Sequence, residues 1–102
     1  MEQPLTLPII IEKIKKNQSA LQSYGVKNIG VFGSFVKEEQ DISSDIDILV
    51  EFEKGMKTFD NFMGVLFFLE DLFKINVDLV TKEALSPHIG PSILKEVVYV
   101  EQ

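Results

Sequence analysis

Two short runs of this sequence hold side chains whose types and spacing could do chemistry. One is Gly33-Ser34, closing the apolar run GVF; the other is Asp45-Ile46-Asp47, opening the run ILVEF. A glycine at the end of a strand lets the backbone turn sharply and approach a ligand, because no Cβ stands in the way. The Ser34 hydroxyl, with the free N–H groups at the start of a following helix, forms a donor cluster suited to phosphate oxygens. Taken alone, Gly-Ser reads first as a turn with a Ser cap. The aspartates say more. On a strand Asp45 and Asp47 project from one face, roughly 6–7 Å apart, close enough to share a divalent metal. Aspartate is a poor strand former, and Ile46, Ile48 and Val50 already claim the other face for a core, so a merely solvated face explains the pair less well.

The spacing ties the two runs together. The ten residues Phe35 to Ser44 separate Ser34 from Asp45, so if the two strands pair antiparallel, the chain leaves the sheet at Gly33 and returns at Asp45, with donors and carboxylates at one end. Asp78, between Val77 and Leu79 in INVDLVT, is expected to be a third carboxylate set into a hydrophobic strand. Burying it unpaired would cost several kcal/mol, roughly, and a shared cation would relieve that cost. Oxygen donors of this kind suit Mg²⁺, which keeps positions open for substrate phosphates. Two such ions would stabilise both the attacking and the leaving oxygen of an in-line transfer. The chemistry implied is phosphoryl or nucleotidyl transfer.

These side chains need elements to hold them. Thr6 as N-cap, Pro8 in the first turn and apolar Ile10, Ile14, Leu21 and Tyr24 predict a helix over about 8–23, ended by Gly25. VKNIGVF predicts a short buried strand, and residues 35–44 a turn or two of helix and a return loop. DIDILVEF alternates strictly, with Ile46, Ile48, Val50 and Phe52 on one face and Asp45, Asp47, Leu49 and Glu51 on the other. Thr58 caps a helix over about 59–73 with a buried stripe Phe62, Leu66, Leu69, Phe73; it is apolar around most of its circumference, which points to cover on two sides or to homo- or hetero-oligomer contacts through it. INVDLVT is a third strand, Pro87 to about Glu96 a broken helical segment, and VVYV a short edge strand. The expected fold is α/β, a small mixed β-sheet of three to four strands with helices packed on it.

Composition bounds the rest. A chain of 102 residues is expected to form one domain over 1–102. With no cysteine there is no thiolate chemistry and no disulfide, and a cytoplasmic setting is the simple expectation. The longest uninterrupted apolar stretch is VLFFL, so neither a membrane span nor a signal peptide is expected. A net charge of −6 disfavours direct nucleic-acid binding and favours divalent cations. His88, the one histidine, has no partner at ligand spacing and reads as a surface or capping residue; Glu51 and Glu53 read as solvated.

The combination Gly33-Ser34, ten residues, Asp45-Ile46-Asp47, then Asp78 on a later strand resembles the minimal nucleotidyltransferase (MNT) domains of the DNA polymerase beta-like superfamily, and the resemblance covers nearly the whole chain. It implies that Gly33 and Ser34 hold the triphosphate, that Asp45 and Asp47 bind two Mg²⁺ ions, and that Asp78 completes one metal site and helps deprotonate the attacking hydroxyl. Many relatives carry Arg three positions after the Ser; Lys37 here keeps the charge and loses the bidentate fork, so it is a candidate phosphate ligand of a weaker kind. Domains of this size resemble antitoxins of HEPN/MNT toxin–antitoxin modules. That implies adenylyl transfer from ATP to a hydroxyl, typically a tyrosine, of a HEPN toxin encoded nearby. Two alternatives stand beside it: a non-catalytic antitoxin or binding module that neutralises a helical partner by contact, and a small-molecule nucleotidyltransferase, whose relatives generally carry an added acceptor-binding domain.

Overall fold

The computed structural model describes residues 4–101. Helix α1 (Leu7–Lys16) opens with Thr6 in the extended cap position and Pro8 in the first turn, although the Thr6 side chain makes no capping bond. The single helix expected over 8–23 is two. Asn17 leaves helical geometry, its side-chain amide donating to the Lys13 carbonyl at 2.7 Å, and α2 (Gln18–Ser23) begins after it. An Asn side chain that competes for backbone groups is a poor helix-interior residue. The expected apolar face survives the break, for Ile10, Ile14 and Leu21 are all fully buried.

Strand β1 (Val26–Phe32) leads through the short helix α3 (Ser34–Lys37) to β2 (Ile46–Phe52), which pairs antiparallel with β1 and sets Phe32 opposite Asp47. Helix α4 (Phe59–Phe73) is the crossover that a parallel connection requires, and it delivers β3 (Val77–Thr81) parallel to β2 with Asp78 beside Asp47. A 3₁₀ turn (Lys82–Ala84) and α5 (Gly90–Glu96) follow, and β4 (Val98–Tyr99) closes the far edge against β1. The sheet is mixed, in the order β3-β2-β1-β4, as the α/β expectation required. Pro87 lies outside α5; Ser86 instead accepts the N–H groups of His88 and Ile89 in a turn, each at 3.2 Å, and His88 is an exposed member of that turn.

The core lies on one face of the sheet. Ile29 and Val31 of β1, Ile46, Ile48 and Val50 of β2, and Val77 and Leu79 of β3 pack with Ile10 and Ile14 of α1 and with Val65, Leu69 and Phe73 of α4. Phe32 and Leu49 are also buried but stand outside that cluster, on the face that carries Asp47. Thr58 caps α4 as expected, accepting from the Asn61 N–H at 3.1 Å. The buried stripe of α4 is rotated from the expected one: Val65, Leu69 and Phe73 are buried while Phe62 and Leu66 only flank the core, and Phe59 and Phe67 are 77% and 60% exposed. At the other end of α4, Glu70 accepts the Val77 N–H at 3.1 Å and so fixes the start of β3, one residue before Asp78.

A Cβ on Gly64 of α4 would press into the Tyr24 ring, with Cζ at 3.2 Å and nearer ring atoms in collision. Gly64→Val is therefore expected to destabilise the fold by about 1–3 kcal/mol, overpacking outweighing any gain over glycine in helix propensity. Thermal melting checks this, and a melting temperature at or above that of the parent would contradict the tight contact between the Tyr24 ring and α4. Among the described residues no helix is long and apolar enough to cross a membrane.

Candidate active site

β1 is followed directly by Gly33, with φ 76° and ψ −147°, a backbone geometry that only glycine adopts at low cost. The turn brings the chain within reach of β2: a Cβ at Gly33 would collide with Asp47 Oδ2 and lie 2.9 Å from Asp47 Cγ. From there α3 starts, its first turn tied by the Val36 and Lys37 N–H groups to the Gly33 carbonyl, each at 3.1 Å. Among the described residues nothing holds the half-exposed Ser34 hydroxyl, which is free to donate to a ligand.

The return from α3 is built rather than loose. Asp41 Oδ1 accepts the Ser43 N–H at 2.8 Å and the Ser43 hydroxyl at 2.7 Å, while Ser44 Oγ accepts the Asp41 N–H at 2.9 Å. These bonds hold the Asp41 carboxyl below the usual carboxylate range, the Ser43 hydroxyl contributing most. The Asx turn ends one residue before Asp45.

The three expected carboxylates meet at this end of the sheet, but not in the expected state. Asp45 is exposed and just precedes β2, Asp47 is half-buried within it, and Asp78, expected to be buried, is exposed. The cost of burial falls on Asp47 instead. Burial first, then the negative charges of Asp78 and Asp45, a hydrogen bond with Asp78 and the charge of Glu96 together push its pKa from 3.8 to about 6. The reason is topological: β2 is an interior strand flanked by β1 and β3, whereas β3 is an edge. Among the described residues no three carboxylate or imidazole groups already form a metal cage. The donors are nevertheless hard oxygens whose mutual repulsion a divalent cation would relieve, so the chemistry of the set fits Mg²⁺ even though the cage is not preformed.

Lys37 is exposed and pairs with Glu96 Oε2 at 3.4 Å. The other oxygen of Glu96 accepts the Gly33 N–H at 3.2 Å. Glu96 is the site residue that sequence reasoning missed. It lies 63 positions from Gly33, and no spacing in KEVVYV marks it. Glu51, expected to be solvated, is half-buried and accepts from Asn28 Nδ2 at 2.9 Å, which lowers its pKa; it belongs to the far end of β2, and Glu53 is exposed. On the other side of Asp45 lies an open hollow of about 820 Å³ between the 40–45 loop and the turn at Lys74–Asn76, bordered by Phe35, Ile42 and Ile75. Gln40 Oε1 is buried there without a hydrogen-bond partner. Of the three site carboxylates only Asp45 lines the hollow, which therefore adjoins the site on its Asp45 side.

The sequence pattern of a family described as "Nucleotidyltransferase domain" matches residues 10–100. The protein adenylyltransferase MntA of Thermococcus cleftensis is 41% identical over 97 residues, covering 94% of this chain and 97% of that relative. Among solved structures, one provisionally assigned as a minimal nucleotidyltransferase superposes with a TM-score of 0.80 at 28% identity, covering 95% of this chain and 98% of that one. A chain from the complex of tri-AMPylated Shewanella oneidensis HEPN toxin with its MNT antitoxin superposes with a TM-score of 0.62 at 17% identity, covering 89% and 71%; at that identity the likeness is one of fold.

Proposed function

The chain belongs to the nucleotidyltransferase domain family and is a nucleotidyltransferase, and on that premise we propose that it moves an adenylyl group from ATP, with Mg²⁺, onto a tyrosine hydroxyl of a HEPN toxin encoded nearby, so acting as that toxin's antitoxin in the cytoplasm. The observation that carries the reading is the register that sets Phe32 opposite Asp47 and Asp78 beside it, so that the Gly33-Ser34 turn and the carboxylates share one end of the sheet. The named activity of the Thermococcus cleftensis relative and the AMPylated toxin in the Shewanella oneidensis complex support the substrate and the partner.

In this reading Ser34 Oγ and the N–H groups of the turn bind phosphate oxygens, and Lys37 adds a positive charge beside them. Asp45 and Asp47 would hold two Mg²⁺ ions and Asp78 one of them; bound there, the ions neutralise charge on the reacting phosphate and on the leaving pyrophosphate. The acceptor oxygen forms a bond to the α-phosphorus as the bond to the bridging oxygen breaks. In the same reading Asp78 takes the acceptor's proton, a role that its exposure and its register with Asp47 support. The half-exposed floor of the site leaves the acceptor's own surface to exclude water, which suits a protein acceptor better than a small molecule.

The test is to incubate the chain with Mg²⁺, ATP and the helical protein of the neighbouring gene and to weigh the partner. A gain of one or more AMP residues on tyrosine, absent with Asp45→Asn plus Asp47→Asn, is the expected result. Neutralisation that survives both substitutions with no mass gain would establish the contact-only module instead.

A further inference from the structure

Glu96 touches the two groups that the reading above gives to phosphate. Its Oε1 accepts the Gly33 N–H at 3.2 Å and its Oε2 faces Lys37 Nζ at 3.4 Å. We propose that Glu96 is an internal occupant of the phosphate cradle: its two carboxylate oxygens stand where two phosphate oxygens of a nucleotide would, and the nucleotide binds by displacing it. The inference rests on the proposed nucleotidyltransferase site and adds to it the residue that sets its affinity for phosphate.

The position is unfavourable for a carboxylate on every count except these two contacts. Glu96 is the last residue of α5, at the end of a helix where the dipole disfavours negative charge. It also stands close enough to Asp47 to add to the repulsion that lifts that group's pKa. Its side chain is 24% exposed, whereas that of Lys37 is 53% exposed, so the acid is the more enclosed partner of the pair. What holds it is the cradle itself: one backbone donor at a glycine that no side chain blocks and one ammonium, a donor pair built for an anion with two oxygens.

An arriving triphosphate carries more charge and more oxygens than Glu96 and takes the same donors. The Glu96 side chain is partly exposed, so it has solvent on one side into which to swing. The nucleotide's apparent affinity is lowered by the fraction of molecules in which Glu96 fills the cradle. Glu96→Gln keeps the shape and one acceptor but gives up the charge, so it should be displaced more easily. Glu96→Asp keeps the charge but is shorter by one methylene and should lose its hold on Gly33.

Calorimetric titration of the full chain with inorganic tripolyphosphate and with ATP, each with and without Mg²⁺, tests this. Glu96→Gln is expected to bind tripolyphosphate and ATP roughly 3- to 10-fold more tightly than the parent, from the loss of one charge-assisted bond and one exposed ion pair. Glu96→Asp is expected to move in the same direction, which keeps the test open if either variant folds poorly. Lys37→Met should weaken binding more in the Glu96→Gln background than in the parent, where Glu96 already occupies the lysine. Parent chain that binds Mg²⁺–ATP, with Glu96→Gln equal or weaker, would overturn the inference and leave the proposed function standing; Glu96 would then only brace the turn. No binding of ATP or tripolyphosphate by parent or variants would overturn both.

Discussion

Asp47→Asn is expected to slow nucleotidyl transfer by about a thousand-fold or more while making the ligand-free protein more stable. The first effect follows because Asp47 is the carboxylate that both neighbours address: Gly33 packs against it and Asp78 lies beside it in register. Removing its charge removes several kcal/mol of charge stabilisation at the reacting phosphate, and each 1.36 kcal/mol is a factor of ten. The second effect follows from its raised pKa. Between 3.8 and about 6 the folded chain binds the Asp47 proton more tightly than the unfolded chain does, so this group's contribution to stability is complete below about pH 4 and is lost as pH rises through about 6. A shift of that size corresponds at face value to about 3 kcal/mol, and screening at a half-exposed site reduces it to about 1–2 kcal/mol. The asparagine, which never ionises, should therefore raise the melting temperature at pH 7 by about 4–8 °C and flatten its fall between pH 4 and 6. Added Mg²⁺ should stabilise the parent and not the variant. A variant that melts lower than the parent at pH 7 would show that Asp47 is not the strained member of the group.

Gly33→Ala is expected to lose both stability and transfer, so it departs from Asp47→Asn in the sign of one effect only. A φ of 76° with ψ −147° costs a residue with a side chain about 1–3 kcal/mol. The added methyl also meets the Asp47 carboxylate, so either the turn or Asp47 must move. A displacement near 1 Å in a reacting site costs on the order of a hundred-fold in rate. Thermal melting with single-turnover kinetics separates the two variants: Asp47→Asn stable and inactive, Gly33→Ala unstable and slow. Parent-like transfer by Gly33→Ala would mean that the close approach of turn and carboxylate has no part in the reaction.

The features legible in the sequence were those written in local periodicity and spacing. The alternation in DIDILVEF placed β2 and its faces, and the ten residues from Phe35 to Ser44 matched an antiparallel return to Asp45. Features set by tertiary position were not legible. Nothing in INVDLVT says that β3 takes a sheet edge, so its apolar neighbours implied a buried Asp78, and the burial went to Asp47 on the interior strand. The phase of α4 was ambiguous because apolar residues surround most of the helix, and a stripe through Phe62 and Leu66 competed with the observed one through Val65. The break at Asn17 lay in one side chain's preference for a backbone carbonyl over continued helix. Glu96 reached Gly33 and Lys37 only because β4 pairs with β1 and brings the end of α5 back across the sheet.

A nucleotidyltransferase of the kind proposed moves the nucleotidyl part of ATP rather than a phosphoryl group, here through Asp45, Asp47 and Asp78. Parallel incubations of the chain and its partner with ATP labelled at the α-phosphate or at the γ-phosphate test it most directly. The expected result is label on the partner from the α position only, with release of pyrophosphate and no label in the Asp45→Asn plus Asp47→Asn variant; transfer from the γ position, or labelling that persists in that variant, would contradict nucleotidyl transfer through these carboxylates.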